Sequence, residues 1–517
     1  MKKIFLTLFA AGALLGSCDM NLEPIGQLPS DGSVQSIDDL EALRNGAYRN
    51  MRIITTSGNL LGSEIQMDDF VGVSTNGNVY GELSAGSLLS SNSDVNVCWQ
   101  NMYYIITGVN YDLIEAQRLL DENAIEETDM ALYNRYVGEL KFMRAYAYWW
   151  LVDHFCQPYT EENGDTEALG VPLRLDFNPT GDNSTYPGRS TLNQTFTQIE
   201  KDLQEAYEAL VAYEATGAKD VAELVAPNSY YVSSYVVKAM QARVALLKGD
   251  YPTAFNRAKE VIDSQIYPLT AYNRYITMWD NDEGTEVLMR LFMSSTETGG
   301  IGGTGLQFYT INNSANYIPV NDLISLYDTR NDIRYTAWFF TGQIPVMGRN
   351  YRAVFMGGKY PGNMDLEVDP TQRQEGLNMA KPFRTAEMYL IAAEADLELN
   401  HNPQGLAATY LNDLRRARIQ NYTDVTFNSE SELRTAIRNE RRKELVAEGF
   451  RMSDLRRWGL GFTRTGSYPD NPELESILAP TSVGVTYQAG DYRYTWPIPA
   501  DEMESNPQLA GQQNPNY

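Results

Sequence analysis

The chain has 517 residues, 43% of them apolar, with 41 Lys and Arg against 67 Asp and Glu for a formal charge of −26 at pH 7. That length and apolar share suffice for a large buried core, while so acidic a balance repels nucleic acid and anionic headgroups and favours neutral or cationic ligands. Only two histidines occur, His154 and His401, a supply too small for a multi-histidine metal centre or for imidazole-based catalysis.

At the amino end, Lys2 and Lys3 precede an apolar stretch from Ile4 to Leu15 and then Gly16-Ser17-Cys18. These are the charged, apolar and small-residue regions of a secretory signal over residues 1–17. The apolar run is too short to span a bilayer. Small residues before a cysteine resemble the lipobox of bacterial lipoproteins, which implies cleavage after Ser17 and acylation of Cys18. Two or three acyl chains anchor a protein stably, since each buried methylene contributes about 0.8 kcal/mol. No later stretch reaches the roughly 20 apolar residues of a membrane helix, so the anchor is expected to be lipid alone. Residues 18–35, with Pro24, Gly26, Pro29 and Gly32, read as an extended tether to a single body over 36–517.

A helix is expected from Ile37 to Ile53, with Asp38 and Asp39 at its start and Leu40, Leu43, Ala47 and Met51 at helical spacing. Residues 55–94, rich in Gly, Ser and Asn, read as loops. Helices follow in pairs: 95–121 with 131–155, then 191–212 with 229–248. Lys248-Gly249-Asp250-Tyr251 leads at once into a helix over 251–264. Between 265 and 382 helices thin out: Val287–Phe292 reads as a buried strand and 293–318 as a long loop, which in compact domains usually carries function. A last pair is expected over 384–399 and 403–418, where Ala392, Ala393 and Ala395 would let a neighbouring helix approach closely. Residues 460–517 are again loop-rich. The helix pairs are repeat-like, resembling tetratricopeptide units without their regular period.

Of the 34 tyrosines, most must serve packing, yet a ring with an apolar face and a polar edge also suits a wet recognition surface. Gly300-Ile301-Gly302-Gly303-Thr304-Gly305 fits the dinucleotide spacing but lacks a surrounding βαβ unit. It reads instead as a binding loop, with Phe308, Tyr309 and Tyr317 close behind. Glu440, Glu444 and Glu448 fall on one helix face. They could act as a glycosidase-type carboxylate pair. The arginines around them favour an ion-pair network tied through Arg415, Arg416 or Arg418, which keeps carboxylates ionised. His154, behind Trp149-Trp150-Leu151, reads as a packing residue. Cys98 and Cys156 either pair or stay buried as thiols; the spacing leaves both open.

Several segments resemble the SusD/RagB family: Arg384–Ala395 (RTAEMYLIAAEA), Leu411–Arg418 (LNDLRRAR), Glu440–Arg451 (ERRKELVAEGFR) with Asp454–Trp458 (DLRRW), and the ending Trp496-Pro497-Ile498-Pro499 and Gln513–Tyr517 (QNPNY). Phe142–Tyr148 (FMRAYAY) and Asp332-Ile333-Arg334 add to the match. The resemblance implies a lipid-anchored outer-membrane protein of Bacteroidota, exposed at the cell surface. Its fold would be mostly α, with tetratricopeptide-like helix pairs packed against a loop-rich ligand-binding region. It would capture oligosaccharide, or peptide as in the RagB type, and pass it to a SusC-like TonB-dependent transporter, with no cofactor, metal or catalytic residue. Candidate stacking residues, chosen for loop context, are Tyr80, Phe308, Tyr309, Tyr317 and Trp338. Trp99 is a weaker candidate because it also fits its helix's apolar stripe. An exported glycoside hydrolase and a scaffold that binds only protein remain as alternatives.

Overall fold

Local signals set the helical half. The computed structural model describes residues 33–55, 57–297, 315–369, 371 and 373–517. Helix α1 (Ile37–Met51) starts where the Ser36 side chain accepts from the Asp39 N–H, and it buries Leu40, Arg44, Ala47 and Met51. Residues 55–94 are more than loops: they hold α2 (Ser57–Gln66), strand β1 (Phe70–Gly72) and α3 (Gly81–Ala85). Asn92 caps the 29-residue α4 (Ser93–Asp121), and α5 (Met130–Phe155) follows. A reciprocal capping box between Thr191 and Gln194 opens α6 (Leu192–Glu214). Helix α7 (Ser234–Lys248) stops at Gly249, whose φ of +80° suits a residue without Cβ. Asp250 then caps α8 (Tyr251–Asp263), with Pro252 in its first turn.

The chain next builds the loop-rich half. It contains α9 (Tyr275–Asp280), β2 (Val287–Met289), β3 (Tyr317–Pro319), α10 (Ile333–Trp338) and a hairpin of β4 (Phe339–Val346) and β5 (Arg349–Met356). The expected strand Val287–Phe292 therefore ends early, and the hairpin was not anticipated. Strand β6 (Phe383–Arg384) returns the chain to α11 (Thr385–Asn400), α12 (Leu406–Arg418), α13 (Glu430–Leu445) and α14 (Arg451–Arg457). Among the described residues these strands form two-stranded antiparallel pairs: β1 with β3 (Val71 opposite Ile318), β2 with β6, β4 with β5, and β7 (Phe462–Thr463) with β8 (Thr486–Tyr487).

Helices pack in sequence: α1 on α4 and α5, α4 on α5, α5 on α6, α6 on α7, α7 on α8, and α8 on α11, which α12 and α13 flank. Ala392, Ala393 and Ala395 are fully buried in α11. At Gly138 of α5, an added Cβ would lie 2.9 Å from the Ala209 Cβ of α6, so this contact admits glycine alone without a shift. The fold is mostly α, with one large core among these helices that Trp496, Ile498 and Leu509 complete. A second core lies under the loop-rich half, built on Phe70, Trp279, Tyr317, Trp338 and Phe355.

Among the described residues no helix is long and apolar enough to cross a membrane. Cys98 and Cys156 are both buried and unpaired.

Candidate ligand-binding site

Three of the stacking candidates are corrected by burial. Trp99 is 2% exposed, and Tyr317 and Trp338 are fully buried, so none presents a face to an incoming ring. Trp99 packs edge-on to Phe155 at 4.9 Å inside the helical core. Trp338 ends α10 rather than lying in a loop; it meets Trp279 at 5.6 Å and the Lys359 ammonium at 4.2 Å. Tyr317 belongs to β3, and its hydroxyl donates to the Val79 carbonyl at 2.6 Å. That bond brings it beside Tyr80, which is half-buried, with φ of +53°, at the start of α3. Phe308, Tyr309, the 300–305 glycine segment and Cys18 lie outside the described residues.

The carboxylate column is a buried ion-pair network. Glu444 accepts from Arg334 at 3.0 Å, Arg384 at 2.8 Å and Arg418 at 3.1 Å. Glu440 accepts from Arg334 and Arg415, each at 2.6 Å. Glu448 pairs with Lys359 at 2.7 Å and with Arg384. Against the upward push of burial, Lys443, Arg334 and Arg415 hold Glu440 well below the ordinary carboxylate range, and Arg418, Arg384 and Arg334 do so for Glu444; Arg384 and Lys359 lower Glu448. These carboxyls stay ionised and cannot serve as proton donors to a leaving group. Of the three arginines named from sequence, Arg415 and Arg418 join the network. Arg416 instead turns outward to Asp413 and Asp424.

A cleft of about 340 Å³ lies where three distant segments meet: Asn45, Tyr48, Arg49 and Arg52 at the end of α1, Tyr230 and Tyr231 ahead of α7, and Phe292 and Glu297 after β2. That volume is within the usual range for a small-molecule site. A bond from Arg290 N–H to the Ser229 carbonyl, 2.8 Å, sets Tyr230 beside Phe292. Their rings meet edge-on at 5.1 Å. The Arg290 guanidinium covers Tyr230 at 4.8 Å and donates to its hydroxyl at 3.1 Å. Arg52 donates to the carbonyls of Phe292 at 3.0 Å and Glu297 at 3.1 Å and pairs with the Glu297 carboxylate, tying this segment to α1. On the floor, Tyr48 accepts from the Val232 N–H at 2.8 Å and meets Tyr231 at 5.3 Å.

Phe292 remains 47% exposed, with the exposed Arg49 and Asn45 nearby. A flat apolar face ringed by amide, phenol and guanidinium groups can stack a sugar ring and hydrogen-bond its hydroxyls. Sequence reasoning had placed Phe292 in a buried strand, and no spacing signal joins residues 45–52, 230–231 and 292–297. A second cleft of about 340 Å³ near the chain end includes Tyr492 and Tyr494, but there the Tyr494 hydroxyl is spent on the Leu460 carbonyl at 2.9 Å. Among the described residues no cluster of three His, Cys, Asp or Glu is placed to hold a metal ion.

The family model described as "SusD family" matches residues 363–517, and one described as "Starch-binding associating with outer membrane" matches 28–222. A SusD-like protein of Formosa agariphila is 22% identical over 95% of both chains. A solved SusD superfamily structure from Bacteroides thetaiotaomicron superposes with a TM-score of 0.74 at 26% identity, covering 93% of this chain and 100% of that one. A SusD-like carbohydrate binding protein from Bacteroides vulgatus gives a TM-score of 0.68 at 19% identity, covering 92% of this chain and 98% of that one. Two family models at opposite ends, the relatives and the shared helical fold lead to one conclusion: the chain belongs to the SusD/RagB family.

Proposed function

We propose that the chain is a non-catalytic, lipid-anchored surface protein that captures an oligosaccharide and delivers it to a SusC-like TonB-dependent transporter. One observation carries the glycan reading: the cleft where the exposed Phe292 ring sits among Tyr48, Tyr230, Arg49 and Asn45. The family-model description, starch-binding and associating with the outer membrane, supports it, as does the carbohydrate binding protein that shares the fold. The stacking candidates Tyr80, Phe308 and Tyr309 stay with the glycan reading on the loop context of their sequence alone. Anchoring rests on the lipobox-like run ending at Cys18.

The test is calorimetry of the mature chain against a panel of neutral oligosaccharides and peptides. At least one glycan binds, and Phe292→Ala weakens it about tenfold, the scale of one lost aromatic contact. The affinity should barely change with salt, because the ligand is uncharged. Binding of peptides with no glycan binding would overturn the glycan reading in favour of peptide capture.

A further inference from the structure

The cleft near the chain end, about 340 Å³, is as large as the one at Phe292 and shares no residue with it. Three separate parts of the chain line it: Gln157 and Pro158 just past α5, Arg456 at the end of α14, and a closing segment that includes Asp491, Tyr492 and Pro515. Local signals build these walls. Pro158 biases Gln157 toward extended backbone, and the chain leaves α5 at Cys156. The Asp491 side chain accepts from the Arg493 N–H at 3.1 Å and opens the short turn Tyr492–Tyr494. Tyr517 meets the Tyr492 ring edge-on at 5.2 Å. Asn514 donates to the Phe155 carbonyl at 2.8 Å, which fastens the residue before Pro515 to the end of α5.

Charge in this cleft is compensated from within. Arg456 pairs with Asp153 at 3.1 Å and donates to the Cys156 carbonyl at 3.0 Å, and Asp491 pairs with Arg493 at 2.6 Å. An incoming ion meets no unmatched counter-charge. What stays open is neutral. Tyr494 is committed to Leu460, but Tyr492 is 43% exposed and Gln157 is half-buried, and neither of these two side chains makes a hydrogen bond among the described residues. A phenol and a carboxamide can each donate and accept. The tyrosine ring and the exposed Pro158 and Pro515 supply apolar faces. An uncharged ring with a C–H face and several hydroxyls matches all of these groups at once, and that is the chemistry of a sugar.

We propose that this cleft is a second saccharide site, with Tyr492 as the stacking platform and Gln157 as a hydrogen-bonding side chain; the proposal rests on the glycan reading above and gives the chain a second hold on the same class of ligand. Maltotriose is the probe, because one matching family model is described as starch-binding. Crystals of the mature chain soaked in it should show a sugar ring over Tyr492, and calorimetry should count two sites. Tyr492→Ala should weaken one of them about tenfold, the scale of one lost aromatic contact. Gln157→Ala removes a side chain that bonds to nothing in the fold, and it should weaken the same site about fivefold, as the loss of one neutral hydrogen bond predicts. Sugar in the Phe292 cleft alone, or two unweakened sites in both variants, would overturn this proposal and leave the glycan reading standing. Sugar at Tyr492 alone would keep the second site and overturn the cleft at Phe292. Maltotriose at neither cleft would overturn this proposal, while the oligosaccharide panel still decides the glycan reading.

Discussion

Glu444 accepts from three arginines while fully buried. Breaking such a pair from one side leaves charge uncompensated in the interior, at about 3–5 kcal/mol. Glu444→Gln should therefore lower urea stability by that amount. Its folded pKa lies well below the ordinary 4.5, so the stabilisation is fully present above that value and is lost as pH falls through and below it. Unfolding free energy measured from pH 7 to 3 should fall steeply below about pH 4.5, and the variant should fall less steeply; an unaltered slope would refute the assignment. The sequence showed that arginines surround this column. It could not show that Arg334 reaches Glu444 from 110 residues away, because only tertiary packing brings them together.

Helices were legible where their signals are local: the Ser36 cap, the Thr191–Gln194 box and the Gly249-Asp250 stop and restart. Helix α2 was not, since Ser57, Gly58, Asn59 and Gly62 form a loop-like composition. Its order comes from packing, with Leu61 and Ile65 buried in the second core. The β4–β5 hairpin lacked a recognisable turn. Its two-residue loop is Met347-Gly348, with φ of +49° and +76°. Both positions are left-handed, as in a type I′ turn, where Asn-Gly is preferred. Met347 has a Cβ in that region, and its side chain is 98% exposed and gains nothing from packing. Met347→Asn should stabilise the protein by about 0.5–1 kcal/mol, read as a rise in melting temperature. A fall in melting temperature would show that the methionine is held by something else.

At the scale of the molecule, helix order followed from the sequence, and the candidate site did not. Tyr317 and Trp338, chosen by loop context, fell into the second core because they close long-range contacts that no local pattern reveals, whereas the burial of Trp99 agrees with its place on the apolar stripe of its helix. Residues 496–514 are likewise joined to helices far earlier in the chain. Trp496 donates to the Gln66 side chain at 2.7 Å and lies edge-on to Phe155 at 5.7 Å. Asn514 donates to the Phe155 and Trp496 carbonyls at 2.8 and 2.6 Å. Trp496→Ala should lower stability by about 3–5 kcal/mol through cavity formation, measured by urea unfolding. A loss below about 1 kcal/mol would mean that the core collapses around the missing ring.

This closure bears on the order of folding. Helices near residue 60 and residue 150 depend on side chains made some 350 residues or more later. While residues 496–514 are still on the ribosome, the earlier helices form an unfinished interior, the partly packed condition that large chains pass through on their way to the native state. On the proposed route to the cell surface, a chain threaded unfolded through a translocation channel gains from that delay, because Trp496, Ile498 and Leu509 complete the core only after the earlier helices have been made.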